Sequence, residues 1–82
     1  MIMTTIYSTK DFYLASLLLS SDFKFVDSEK KQEGVYFNFI NSNDELLKKL
    51  LNDFINYQAM VNMRKFTSAL TRLRKELDKY KH

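Results

Sequence analysis

Arg64, Lys65, Arg72, Lys75 and Lys79 are the residues whose type and spacing suggest a chemistry: cations at helical intervals, suited to pairing with a row of phosphates. Stepping about 100° per residue through 62–82 gathers them on one side of a helix, with Lys65, Arg72 and Lys79 separated by sevens. Phe66, Ala69, Leu70, Leu73, Leu77 and Tyr80 gather on the other side, at the spacing of a face that packs. One predicted helix, capped by Asn62, therefore carries both a core stripe and a basic stripe. Charge follows the same division. Residues 64–82 hold seven basic and two acidic side chains, a net +5, whereas residues 1–63 hold six basic and eight acidic, a net −2. The basic excess of a chain of net charge +3 thus sits on its last element, where it can attract phosphate backbones or acidic protein surfaces. Lys and Arg also do no more than solvate many exposed helices, so this face has a plain reading as well.

Other residues give weaker signals. The sole histidine, His82, is terminal and reads as a frayed end rather than an acid-base group. Serines and threonines lack a His/Asp partner set, and a chain with one glycine has no glycine-rich phosphate loop. Asp44 and Glu45 are explained by a helix N-terminus, and Asp22 and Asp27 have no ligand cluster beside them. No catalytic residue, metal site or cofactor is expected, and the chain reads as a non-enzyme.

These residues must be positioned by a single small domain, 1–82, near the size at which one hydrophobic core only just suffices. With 45% hydrophobic residues the chain can fold, and part of its apolar surface could be shared in a homodimer. The absence of cysteine fits a reducing cytoplasm. No signal peptide is legible at the start, and no apolar run approaches the ~20 residues a bilayer requires, so a soluble, unprocessed protein is expected.

Along the chain, residues 3–7 read as a short strand. Ser8 reads as the N-cap of a first helix, with Asp11 three residues on in a variant capping box. That helix is apolar over most of its circumference and stops at Ser20, Ser21 and Asp22. Residues 23–27 and 35–40 are strand candidates joined by a polar, rather long loop over 28–34 that ends at Gly34, the place for a positive φ. In the second strand Val35, Phe37 and Phe39 alternate with Tyr36, Asn38 and Ile40. An exposed ring there would stack a base, while buried rings would be packing, the commoner outcome. Ser-Asn-Asp-Glu at 42–45 reads as a full capping box before an amphipathic helix of Leu46, Leu47, Leu50, Leu51, Phe54 and Ile55 that ends near Tyr57. Met60 or Val61 would staple onto Phe66 as the last helix begins. Because the break rests on Asn62 alone, one long bent helix is an alternative. The predicted fold is α+β: a three-stranded antiparallel sheet packed on three helices, in the order β-α-β-β-α-α.

The blocks Tyr7-Ser8-Thr9-Lys10-Asp11-Phe12-Tyr13-Leu14-Ala15 and Val61-Asn62-Met63-Arg64-Lys65-Phe66, with the aromatic strands between them, resemble a family of small uncharacterised domains from bacteria, phages and related elements. Met63 departs from that family's pattern, where proline at the first helical position is expected. The resemblance covers nearly the whole chain. It implies a stand-alone domain, often encoded by a mobile element, and carries over no functional residue. Small basic phage proteins are often nucleic-acid accessory factors or inhibitors of a host enzyme. The functional expectation is therefore a nucleic-acid-binding accessory protein that grips phosphates through Arg64, Lys65, Arg72, Lys75 and Lys79. The alternative is an adaptor or inhibitor of a host protein.

Overall fold

Three strands and three helices follow in the expected order: β1 (Thr5–Thr9), α1 (Phe12–Ser20), β2 (Phe25–Lys31), β3 (Gly34–Asn41), α2 (Asp44–Ile55) and α3 (Met63–Asp78). The structure is a computed structural model that describes residues 5–81. Met3 and Thr4 of the expected first strand, and His82, lie outside the described residues.

The sheet runs β1-β3-β2, all antiparallel, so β3 is central and both neighbours are edges. Strand alternation then decides which side chains meet the helices. Phe37 and Phe39 point into the core, and their partners Tyr7, Thr9, Phe25 and Ser28 lie on the same side of the sheet. Ile6, Ser8, Tyr36, Asn38, Ile40, Asp27, Glu29 and Lys31 fall on the opposite, more open face. There Asn38 bridges the outer strands, taking the Ser8 hydroxyl and donating to the Asp27 carboxylate at 2.7 Å. A bulge at Val26 shifts the β2 register between Phe25 and Asp27, which keeps Phe25 facing inward.

Helix α1 forms the centre of the molecule. Leu14, Ala15, Ser16, Leu17 and Leu18 are all buried, and α1 packs against both α3 and α2. The buried Ser16 hydroxyl donates to the Phe12 carbonyl at 2.9 Å, so it is not left unpaired in the core. Leu47 of α2 and Leu73 of α3 close the same core.

Three local expectations are corrected. Ser8 is not a cap: pairing of Thr9 with Phe37 holds the chain extended through Thr9, and the N-cap of α1 is Asp11, whose carboxylate accepts from the Leu14 N–H at 3.0 Å. The long loop over 28–34 is instead strand. Ser28 to Lys31 pair with β3, leaving Gln32 and Glu33 as a two-residue turn, with the expected positive φ of 146° at Gly34. Polar side chains do not prevent pairing, because the ladder uses the backbone and an edge strand can solvate its side chains. At α2 the cap is Asn43, not Ser42. Its side chain accepts from the Leu46 N–H at 3.1 Å, with Asp44 and Glu45 in the first turn as the helix dipole favours.

The break before α3 is real. Helix α2 ends at Ile55, Tyr57 turns through a positive φ of 58°, and Asn62 caps α3 by accepting from the Lys65 N–H at 3.0 Å. Of the two residues expected to staple the helix start, Met60 is ruled out by its 93% exposure, whereas Val61, just before the cap, is 37% exposed; Ala59 packs on the core.

Candidate nucleic-acid interface

The apolar stripe of α3 lies where its spacing requires: Ala69 and Leu73 are buried, and Phe66, Leu70, Leu77 and Tyr80 are half-buried. Arg64, Lys65, Arg72, Lys75 and Lys79 are all exposed. The five do not have equal surroundings. Lys65, Arg72 and Lys79 lie on one flank of the helix, and each has a neighbour. The Lys65 ammonium is 3.7 Å from the Asp22 carboxylate, the Arg72 guanidinium sits 5.7 Å from the centre of the Phe25 ring, and Lys79 pairs with Glu76 at 2.6 Å. Arg64 and Lys75, nearer the crest, make no ion pair among the described residues. Arg74, on the far flank, packs its guanidinium 5.8 Å from the Phe12 ring. By contrast the lysines of α2 are neutralised within their own helix, Lys48 by Asp44 and Lys49 by Asp53.

Two neighbouring hollows line this side of α3. One, of about 400 Å³, lies between the end of α1 and the first half of α3; Leu19 and Ala69 line it with Ser20, Asp22, Ser68 and the Arg64, Lys65 and Arg72 cations. The other, of about 370 Å³, continues along the helix past Ser68 and Arg72 to Thr71 and Lys75. Ser68 falls between Lys65 and Arg72 at i+3 and i+4, a spacing legible in the sequence that the charge pattern alone did not reveal. The part played by Asp22 had no sequence signal: its φ of 70° and its approach to Lys65 arise only where α1 meets α3.

The C-terminal end of α3 is pinned to the sheet. Ser28 of β2 donates to the Glu76 carboxylate and lies 2.8 Å from the Tyr80 hydroxyl. Hydrogen bonds from Lys79 and then Ser28 hold the Glu76 carboxyl below its ordinary pKa, and the same carboxylate raises that of Lys79.

Phe37 and Phe39 are core, and the single ring of β3 on the open face, Tyr36, carries the Lys31 ammonium 4.8 Å from its centre. Asp44 and Glu45 occupy the first turn of α2, and Asp27 serves Asn38. Among the described residues no group of three or more His, Cys, Asp or Glu side chains is placed to hold a metal ion, and no helix is long and apolar enough to cross a membrane.

Comparison with curated proteins and with solved structures yields no match. Comparison with protein families agrees with the expectation of an uncharacterised domain: matched over residues 4–80, the chain belongs to the family described as a domain of unknown function (DUF5659).

Proposed function

We propose that the protein is a non-enzymatic nucleic-acid-binding accessory domain, of the kind phages and mobile elements encode, and that α3 is its contact. The observation that carries this reading is one line of groups along α3. Lys65, Ser68, Arg72, Lys75 and Lys79 step by three and four residues, about 21 Å in all at ~1.5 Å per residue, and all are exposed. Two of the lysines in the line are paired: the exposed Lys65–Asp22 pair contributes little and gives way readily to a phosphate, whereas Lys79 shares the largely covered Glu76 carboxylate with Ser28. Arg64 and Lys75 make no ion pair among the described residues, so each can neutralise a phosphate without first leaving a carboxylate. Fluorescence anisotropy with labelled DNA and RNA, titrated with salt, tests the reading. The triple variant Lys65→Gln, Arg72→Gln, Lys79→Gln should bind more weakly, with a log–log salt slope flatter by about 0.7–0.9 for each phosphate that is no longer neutralised. Unchanged affinity in that variant removes the assignment.

A second reading has its own support. The segment joining α2 to α3 exposes large apolar side chains close together in sequence: Ile55 at 71%, Tyr57 at 96%, Met60 at 93% and Met63 at 70%. Exposure of this kind is typical of a surface covered by another protein, either a host protein or a second copy in a homodimer. Tyr57→Ser with Met60→Ser would then abolish that association in light scattering or a binding assay and leave nucleic-acid affinity unaltered.

A further inference from the structure

We propose that the hollow between α1 and α3 seats an unpaired nucleotide, so that the protein prefers single strands to duplex, and that Asp22 occupies Lys65 until a phosphate displaces it. This rests on the nucleic-acid reading above and names the form of nucleic acid that the same site takes.

The lining of the hollow is divided in the way a nucleotide is. Leu19, half-buried, offers apolar surface for a base, while Arg64, Lys65 and Arg72 supply cations for its phosphate. Ser68 adds a hydroxyl that makes no hydrogen bond among the described residues and is therefore available to donate. The hollow is open to solvent on its outer side and holds about 400 Å³, room for a single base. A duplex keeps its bases stacked and paired. It would touch the Arg64 and Lys75 crest and leave the apolar part of the hollow empty. A single strand can turn one base inward, and the exposed Arg72 guanidinium, steadied against the Phe25 ring, provides a planar cation on which a base can stack. The second hollow shares Ser68 and Arg72 with the first and leads to Lys75, which gives the strand a continuous path along the helix.

Asp22 is the one acid in this lining. Its carboxylate lies 3.7 Å from Lys65, and both side chains are largely exposed, at 83% and 56%. Such a pair is weak and screened, so the carboxylate holds the ammonium in place without competing strongly against a phosphate. With its φ of 70°, Asp22 is also replaceable by asparagine, which tolerates the left-handed region well.

The experiment compares a labelled oligothymidylate with a duplex carrying the same number of phosphates, using the wild-type chain, Ser68→Leu and Asp22→Asn, with circular dichroism to verify folding. Ser68→Leu fills the hollow without altering charge. It should weaken single-strand binding about tenfold, the size of one base-stacking interaction, and leave duplex binding within about twofold. Asp22→Asn should tighten single-strand binding, most of all at low salt. Equal affinity for both probes with Ser68→Leu indifferent would overturn the nucleotide seat while leaving phosphate contact by α3 standing. An Asp22→Asn chain no tighter than wild type would overturn the role given to Asp22. Failure of both probes to bind would remove the seat and the nucleic-acid reading together.

Discussion

Helices α1 and α3 lie side by side and use their sequences in opposite ways. The nine residues of α1 include no charged side chain, and five of them are buried against the sheet, α2 and α3. Of the sixteen residues in α3 only Ala69 and Leu73 are buried, and the helix carries five basic side chains. A helix apolar all round can only be core, whereas a helix with one apolar stripe both packs and presents a surface. Stability should therefore reside mainly in α1 and, on the proposed nucleic-acid reading, binding mainly in α3.

The sharpest way to break that division is to exchange the effects. Leu18→Ala, at a fully buried position of α1, should cost about 2–5 kcal/mol in urea unfolding. Arg64→Gln, on the exposed crest of α3, should change stability by less than about 0.5 kcal/mol while weakening nucleic-acid binding. If Arg64→Gln destabilised the fold as much as Leu18→Ala, the two helices would not be specialised as described.

A smaller effect is expected where each helix begins. Both are capped by a side chain that accepts from the third helical N–H, Asp11 for α1 and Asn62 for α3. Asp11→Ala and Asn62→Ala should each cost about 1 kcal/mol in the same unfolding measurement. Ser8→Ala should cost less than Asp11→Ala, because among the described residues the Ser8 hydroxyl bonds to Asn38 alone, on the open face of the sheet.

The smallest effect concerns pH. The folded Glu76 carboxyl has a lowered pKa, through Lys79 first and Ser28 second. Its contribution to stability is therefore present above the pKa of an unfolded glutamate, about 4.3, and is lost as pH falls through the lower folded value. Glu76→Gln should flatten the stability profile in that acid window and change it little at neutral pH. An acid transition that is the same in both chains would show that the pin between α3 and β2 has no role in it.

Errors in reading the sequence fall where a distant strand decides. Ser28 to Lys31 look like a loop because nothing apolar alternates there, yet β3 supplies partners for their backbone groups and makes them strand. Ser8 looks like a cap because a hydroxyl with an acid three residues on is a cap signature, but the same residue pairs with Asn38. Asn43 displaces Ser42 as the cap by a single position, a choice that depends on which residue takes the extended conformation as β3 ends. Of the candidate site, the five cations and their exposure on one side of α3 were legible. Ser20 and Asp22 were not, because they come from the end of α1 and the turn after it, and Ser68, whose spacing the sequence does show, carries no charge to single it out.

The sequence by itself determined what depends on neighbours a few residues apart. It specified the period of α3, its Asn62 cap, the apolar character of α1, the positive φ at Gly34, the element order and the concentration of positive charge at the end of the chain. Tertiary structure alone decided which face of β3 is core, where β1 and β2 end, and that Asp22 and Leu19 from around the end of α1 border a basic hollow on α3. Helical periodicity and capping are satisfied within one turn of chain. Strand pairing and a hollow between helices are satisfied only by partners brought from far along it.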